Sequence, residues 1–199
     1  KGVPATTTAP ELEVSQPRIY FGESAESQEY VVVNSLQEEV DYPLSTEGQS
    51  VAYTNYSGQG GVGIGSFFQR LGFSLRYSEL NLMISNQLSD DSKIIMERNV
   101  TSRVKKAAPF LYTDNDPYLA LIEGDLFWII DMYTVSDKYP YAQPADTRRI
   151  NERSGLPMNF NYIRNSVKAV VNAYDGTMKF YVFDEADPLI QSYAIIFPS

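Results

Sequence analysis

Four aspartates in the second half of the chain carry the side chains best suited to chemistry: Asp114, Asp116, Asp131 and Asp137. Two carboxyl groups that flank a substrate can share the acid, base or nucleophile roles of glycoside hydrolysis. Asp114 and Asp116, separated by one asparagine, also offer neighbouring oxygens to a calcium ion, which takes about six to eight oxygen ligands. The same residues, followed by Pro117, are more typical of a turn in which aspartates cap backbone N–H groups.

A second group of polar and aromatic residues follows the most apolar segment of the chain, residues 126–130. We predict that this segment ends at the edge of a sheet and that a binding surface follows it, formed by Asp131, Tyr133, Asp137, Tyr139 and Tyr141. Tyrosine offers a large contact area and a hydroxyl at low entropic cost, and Pro140 stiffens its two neighbours. The acidic groups favour a cationic or hydroxyl-rich partner. In the alternative interpretation, Tyr139 and Tyr141 pack back onto the sheet as loop anchors.

The composition excludes several classes of function. The chain contains neither Cys nor His, which excludes a Ser-His-Asp triad, a disulfide framework and a Cys- or His-ligated metal. With 16 basic and 25 acidic residues and a net charge of −9, the chain lacks the basic surface of a nucleic-acid-binding protein. Residues 58–65 are glycine-rich, but no lysine follows Gly65, so they predict a surface loop and not a phosphate-binding loop. We expect no cofactor.

The length of 199 residues is sufficient for one domain with a sizeable core. Residues 1–16, rich in Thr, Pro, Ala and Glu, predict a flexible lead-in. Residues 17–199 then form a single domain, or two small subdomains over about 17–107 and 108–199. No segment is long and apolar enough to predict a transmembrane helix, because the longest uncharged run, residues 48–69, is rich in glycine.

Three helices are predicted from their boundary residues. The first should begin at Ser66, because a glutamine three residues later gives the spacing of a capping box. The second should follow residues 89–92 and carry a buried stripe of four residues: Met96, Val100, Val104 and Ala108. The third should begin after Asp187, an N-cap residue followed directly by proline.

Strands are predicted where the hydrophobic period changes to two or where β-branched residues accumulate. Residues 18–22 and 30–34 read as short strands bounded by turn residues. Residues 118–123 and 126–131 predict a hairpin around a Gly-Asp turn, with the second arm as a central strand covered on both faces. The segment that follows, residues 136–160, predicts a long irregular loop.

A second hairpin is predicted over residues 167–174 and 177–183. Its Asp175-Gly176 turn suits type I′, because both central residues of that turn need positive φ. The resulting register places Val171 opposite Phe180 and Ala173 opposite Met178. Strands that are neighbours in sequence, joined by tight turns and combined with helices, predict an α+β fold: a mainly antiparallel sheet with hairpins and with helices packed on it.

Several segments together resemble uncharacterised protein family 0182. They are residues 17–23, 65–71, 108–111, 114–118, 127–134, 139–141, 161–171 and 174–176. The resemblance implies large bacterial integral membrane proteins with several N-terminal transmembrane helices and a large extracytoplasmic region. This chain would be part of that region, and it would contact the membrane only through helices absent from it. The resemblance supplies no established activity and no catalytic residues.

The residues and the resemblance together favour a non-catalytic binding or interaction module on the extracytoplasmic side of the cell membrane. Its partner would be an unknown protein or a cell-envelope ligand. Two alternatives stay open: a carboxylate-based enzyme, for example one for glycoside hydrolysis, and a structural domain stabilised by calcium bound to Asp114 and Asp116.

Overall fold

The protein is described by a computed structural model, which describes Ala9 and residues 12–24, 30–43 and 51–197. Most of the predicted lead-in, residues 1–16, therefore lies outside the described residues. The chain divides into two compact units. Among the described residues, the first unit contains Ala9, 12–13, 30–43 and 51–98, and the second contains 14–24 and 99–197.

The first unit is built on two small antiparallel sheets. Strands β1 (Tyr30–Val33), β5 (Lys93–Met96) and β4 (Val62–Gly63) form one sheet in the order β1-β5-β4. Strands β2 (Glu39–Pro43) and β3 (Val51–Thr54) form a separate pair. The predicted strand over residues 30–34 is confirmed as β1. The loop predicted over residues 58–65 contains the short strand β4.

Two helices of the first unit follow β4, namely α1 (Phe67–Tyr77) and α2 (Asn81–Ile84). The predicted capping box is present, because the Ser66 side chain accepts from the backbone N–H of Gln69 and the Gln69 side chain accepts from that of Ser66. A small core joins both helices to the sheet; its fully buried members are Ile64, Leu82 and Ile94.

The second predicted helix is wrong in its first turns. Residues Lys93–Met96 form strand β5, and helix α3 spans only Val100–Ala107. Asn99 is its N-cap and accepts from Ser102 N–H at 2.8 Å. Glu97 has φ +53°, which breaks any helix begun earlier. Val100, Val104 and Ala108 are buried as predicted.

The second unit carries a five-stranded antiparallel sheet. It contains β6 (Tyr112–Thr113), β7 (Tyr118–Ile122), β8 (Asp125–Ser136), β9 (Tyr162–Asn172) and β10 (Met178–Val182). The order is β10-β9-β8, and both β6 and β7 pair with the other edge of β8. Both predicted hairpins are present, and β8 is the predicted central strand. The first hairpin turns at Glu123-Gly124, however, and not at Gly124-Asp125, because Ile122 pairs with Asp125 and both turn residues have positive φ. Strand β8 also continues past the predicted residue 131 to Ser136, and its outer face is only partly buried. Together with the helices, these sheets confirm the α+β fold.

The register of the second hairpin differs from the prediction by two residues. Val171 pairs with Met178, not with Phe180. Only Gly176 of the Asp-Gly pair has positive φ, so a type I′ turn does not form. Instead the Asn172 side chain accepts from the N–H groups of Tyr174 and Asp175, which lengthens the loop. A shift of two leaves every side chain on its predicted face.

The predicted strand over residues 18–22 is also wrong. Only Gly22 forms a single bridge, with Asn99. Tyr20 N–H and Phe21 N–H both donate to the carbonyl of Ala173, a geometry that no regular ladder has. The segment is nevertheless fixed within its unit, because Trp128 Nε1 donates to the Phe21 carbonyl at 2.9 Å.

Helix α4 (Pro188–Ile196) completes the second unit and begins as predicted, with Asp187 as N-cap and Pro188 as its first residue. The centre of the inner face of the sheet is fully buried, with Ile130, Met132, Ala169 and Val171 there. The connection from β8 to β9 is the predicted long loop, with two 3-10 turns at Thr147–Arg149 and Glu152–Ser154. Among the described residues, no helix is long and apolar enough to cross a membrane.

Candidate functional site

The outer face of the five-stranded sheet carries polar residues at its centre. Alternate residues of a strand share a face, so Asp131 and Tyr133 of β8 lie on the side opposite buried Ile130 and Met132. Directly paired residues on neighbouring strands share a face as well. Two rows of outer-face residues follow from the register: Tyr112–Tyr133–Asn165 across β6, β8 and β9, and Asp131–Lys168–Tyr181 across β8, β9 and β10.

Contacts join these rows to Asp114, which follows β6. Lys168 Nζ donates to Asp131 Oδ1, and both side chains are about three-quarters buried. The Tyr133 hydroxyl donates to Asp114 Oδ2 at 3.3 Å. Asp114 N–H contacts the carbonyl of Asp131 at 3.4 Å. We call Asp114, Asp131, Tyr133, Asn165 and Lys168 the acidic–tyrosine cluster.

The electrostatics of the cluster reflect its partial burial. Burial is the main cause that raises the pKa of Asp114, and the charge of Asp131 adds to it, whereas hydrogen bonds from Asp116 and Tyr133 act in the opposite direction. Burial, followed by the charges of Asp114 and Asp131, raises the pKa of Tyr133 to about 12. The hydroxyl of Tyr133 therefore stays protonated at neutral pH and serves as a donor.

Two acceptor atoms of the cluster have no donor within the part of the chain that the structure describes. Asp114 Oδ1 and Asn165 Oδ1 are buried and form no hydrogen bond with any described residue. Buried polar atoms are nearly always paired with protein, water or ligand. The cluster also contains two carboxyl groups but one ammonium group, so it offers acceptors in excess. This arrangement suits a ligand that donates hydrogen bonds or carries positive charge.

Exposed aromatic side chains surround the cluster on the same face. Tyr112 is 44% exposed, Tyr118 48% and Tyr181 51%, and Tyr118 pairs with Ile129 on the outer face of β8. The Phe183 ring lies over the Lys168 ammonium, with 5.5 Å between the nitrogen and the ring centroid. Aromatic rings offer a ligand flat apolar area together with hydroxyl groups.

The other residues of the predicted binding surface lie outside the cluster. Asp137 is exposed in the loop after β8. The Tyr139 ring stacks on Tyr162 with 4.5 Å between centroids, which agrees with the anchor interpretation. Tyr141 is fully exposed, with φ +58°. Asn161 holds this turn, because its amide group bonds the backbone of both Tyr139 and Ala142.

The two predicted calcium ligands, Asp114 and Asp116, have different surroundings. Asp114 accepts hydrogen bonds within the cluster, and Asp116 is exposed to solvent. Within the part of the chain that the structure describes, no three acidic residues are grouped so that they could hold a metal ion.

The roles of three important residues were not predicted from the sequence. Lys168 and Asn165 lie on β9, more than thirty residues from Asp131, and only the strand register brings them to the cluster. Asp187 was predicted as a helix cap, but its buried carboxylate also accepts from the hydroxyls of Thr134, Ser166 and Tyr162. The alternation of β9 could have placed Lys168 on the outer face, had the register with β8 been known.

Comparisons with known proteins agree on one family. The model of the Uncharacterised protein family (UPF0182) matches residues 1–199. A UPF0182 protein of Trichodesmium erythraeum is 46% identical over 94% of this chain and 21% of its own length. A UPF0182 protein of Pelotomaculum thermopropionicum is 41% identical over 100% of this chain and 20% of its own length. The chain thus spans about a fifth of the length of these relatives. No solved structure matches it.

Proposed function

The chain belongs to the uncharacterised protein family UPF0182, and we propose that it is a non-catalytic binding module on the extracytoplasmic side of a membrane protein. The proposed membrane location rests on the resemblance to this family, whose relatives are about five times as long as this chain. The acidic–tyrosine cluster is its ligand-binding surface. The ligand is a hydroxyl-rich component of the cell envelope.

The Oδ1 atoms of Asp114 and Asn165, which have no hydrogen-bond partner among the described residues, carry this proposal. An acceptor that is removed from water without a donor costs about 1–3 kcal/mol, and a ligand hydroxyl relieves that cost on binding. The Tyr133 hydroxyl donates its hydrogen to Asp114 Oδ2, so its oxygen adds a further acceptor for a ligand hydroxyl. The surrounding tyrosines supply flat rings against which a sugar can stack. A glycan presents both hydroxyl donors and apolar C–H faces, and therefore fits this surface better than a purely cationic ligand.

Binding to insoluble peptidoglycan sacculi tests the proposal. The wild-type chain should sediment with sacculi, and soluble cell-wall glycan fragments should compete with it. Tyr133→Phe and Asp114→Asn should each weaken retention by about tenfold, which corresponds to about 1.4 kcal/mol. Tyr139→Phe is the matched control, because it removes the same hydroxyl from a tyrosine outside the cluster.

Two results would count against the proposal. If the wild-type chain does not sediment with sacculi, the ligand class is wrong. If the Tyr133 and Asp114 variants bind as the wild type does, the cluster is not the binding surface. Circular dichroism of each variant separates loss of binding from loss of folding.

A carboxylate enzyme is the second candidate, because Asp114 and Asp131 interact electrostatically and burial raises the pKa of Asp114. A neutral acid beside an ionised carboxylate is the arrangement that glycosidases use. Against this role, the Asp131 carboxylate is held by Lys168. Release of new reducing ends from sacculi, abolished by Asp131→Asn without loss of folding, would favour the enzyme.

A further inference from the structure

Strand β10 forms one end of the five-stranded sheet, and among the described residues it pairs only with β9. Its residues are unusually apolar for a free edge, with Phe180 41%, Val182 46% and the following Phe183 74% exposed. Natural proteins protect such edges with charge, proline or a covering element, because an unpaired strand is a template for another strand. The single lysine of this strand, Lys179, lies on the outer face, opposite Val170.

The hydrogen bonds of the hairpin show which backbone groups are free. Phe183 N–H donates to the Ser166 carbonyl, and Asn172 N–H donates to the Thr177 carbonyl. Hydrogen-bonded pairs alternate along an antiparallel ladder, so Lys179 and Tyr181 also bond to β9. The N–H and C=O groups of Met178, Phe180 and Val182 therefore point away from the sheet.

An apolar cleft lies beside this edge, on the inner face of the sheet. Its volume is about 710 Å³, within the range of about 300–1,000 Å³ of ligand-binding clefts. Phe180 and Val182 line it from β10, at alternate positions of the strand. Helix α4 and its C-cap line the other side at helical spacing, and among the described residues no charged side chain takes part: Ile190, Tyr193, Ala194 and Phe197.

We propose that β10 and α4 form a peptide-binding groove, in which an extended segment of a partner protein adds as a sixth, antiparallel strand. The outward N–H and C=O groups are complementary to an occupant with backbone donors and acceptors, which a lipid chain lacks. The apolar lining of the cleft favours uncharged, apolar side chains at every second position of that segment. Strand addition with side-chain pockets at alternate positions is an established mode of peptide recognition. The groove is separate from the acidic–tyrosine cluster and does not depend on its ligand.

N-methylated peptides test the backbone pairing directly. The probe is a fluorescent eight-residue peptide in which valine and threonine alternate. Peptide residues opposite Phe180 and Val182 place their side chains on the same face of the sheet as these two residues, and they form the hydrogen-bonded pairs with β10. Valines that fill the cleft must therefore direct their N–H groups to β10. Methylation of the valine nitrogens should abolish binding, whereas methylation of the threonine nitrogens should leave it within about twofold. Any other pattern overturns the proposal.

Variants of the protein supply the matched test. Val182→Pro removes one outward N–H but keeps the pairing with β9, as edge strands tolerate. This variant should weaken peptide binding by about tenfold, consistent with the loss of one hydrogen bond. Lys179→Thr, whose N–H faces β9, should bind as the wild type does. If Val182→Pro does not fold, the methylated peptides alone decide. If the chain dimerises in sedimentation equilibrium and Val182→Pro makes it monomeric, the occupant is a second copy and the proposal fails.

Discussion

Replacement of Asp187 by alanine should destabilise the second unit more than any exposed carboxylate could. Asp187 is fully buried and accepts hydrogen bonds from the hydroxyls of Thr134, Ser166 and Tyr162. It also accepts from the N–H of Leu189 at 2.9 Å, as the N-cap of α4. The carboxylate therefore ties the helix to the ends of β8 and β9.

The magnitude follows from the groups that Asp187→Ala leaves without a partner. Loss of the N-cap costs about 1 kcal/mol. Thr134 and Ser166 lose a charged acceptor in a fully buried place, but their oxygens lie 3.4 Å apart and can bond each other. We therefore count one unsatisfied hydroxyl from this pair, which costs about 2–3 kcal/mol, and none from Tyr162, which is only partly buried. The expected loss is about 3–4 kcal/mol, or a decrease of about 1.5–2 M in the urea midpoint.

Urea unfolding followed by tryptophan fluorescence measures this loss. The chain has a single tryptophan, and Trp128 belongs to the second unit. The control is Asp184→Ala, which removes the surface ion pair with Arg164 and should cost less than about 1 kcal/mol. If Asp187→Ala costs no more than this control, the buried network does not stabilise the fold and the reasoning is refuted.

Three further predictions rest on single features of the second unit. Hydrogen bonds from Ser166, Thr134, Tyr162 and Leu189 outweigh burial and lower the pKa of Asp187. The contribution of Asp187 to stability is therefore present above the unfolded pKa of about 3.8 and is lost as pH falls through the lower folded pKa. Acid titration should destabilise the wild type more steeply than Asp187→Asn. Burial raises the pKa of Asp114, so the ionised carboxylate opposes folding above that pKa. Asp114→Asn should therefore raise the melting temperature at pH 7 by about 1–3 °C. This gain in melting temperature should vanish below about pH 4. Gly176→Ala should cost more than about 2 kcal/mol by the fluorescence assay, because φ is +71° and a Cβ would lie 2.4 Å from the Phe21 ring.

Local signals in the sequence were sufficient to predict those features that depend only on neighbouring residues. The capping box at Ser66 and the Asp187–Pro188 helix start depend on residues a few positions apart, and both are present. The prediction that the strand ends before Asp131 and Tyr133 is wrong, because β8 continues to Ser136 and both residues lie within it. The helix predicted through Lys93–Met96 failed because this segment is the middle strand of the sheet β1-β5-β4. Pairing on both sides outweighed a helical spacing that was also present.

The candidate site could be predicted only in part, because its members meet through pairing and not through spacing. Asp131 and Tyr133 were predicted to lie at one surface, but their partners Lys168 and Asn165 come from β9. Asp114 was considered as a metal ligand, whereas the pairing of β6 with β8 places it beside Tyr133. The contact of Tyr139 with Tyr162 likewise joins residues far apart in the sequence.

A single irregularity in β9 connects the two polar arrangements of the second unit. The ladder pairs Met132 with Val167 but Tyr133 with Asn165, so Ser166 is an extra residue, as in a β-bulge. Without it, Ser166 would lie opposite Tyr133 on the outer face. The bulge instead directs Ser166 inward to Asp187 and brings Asn165 to the acidic–tyrosine cluster. One inserted residue thus allows a buried serine to hold α4 and a buried amide oxygen to face the proposed ligand.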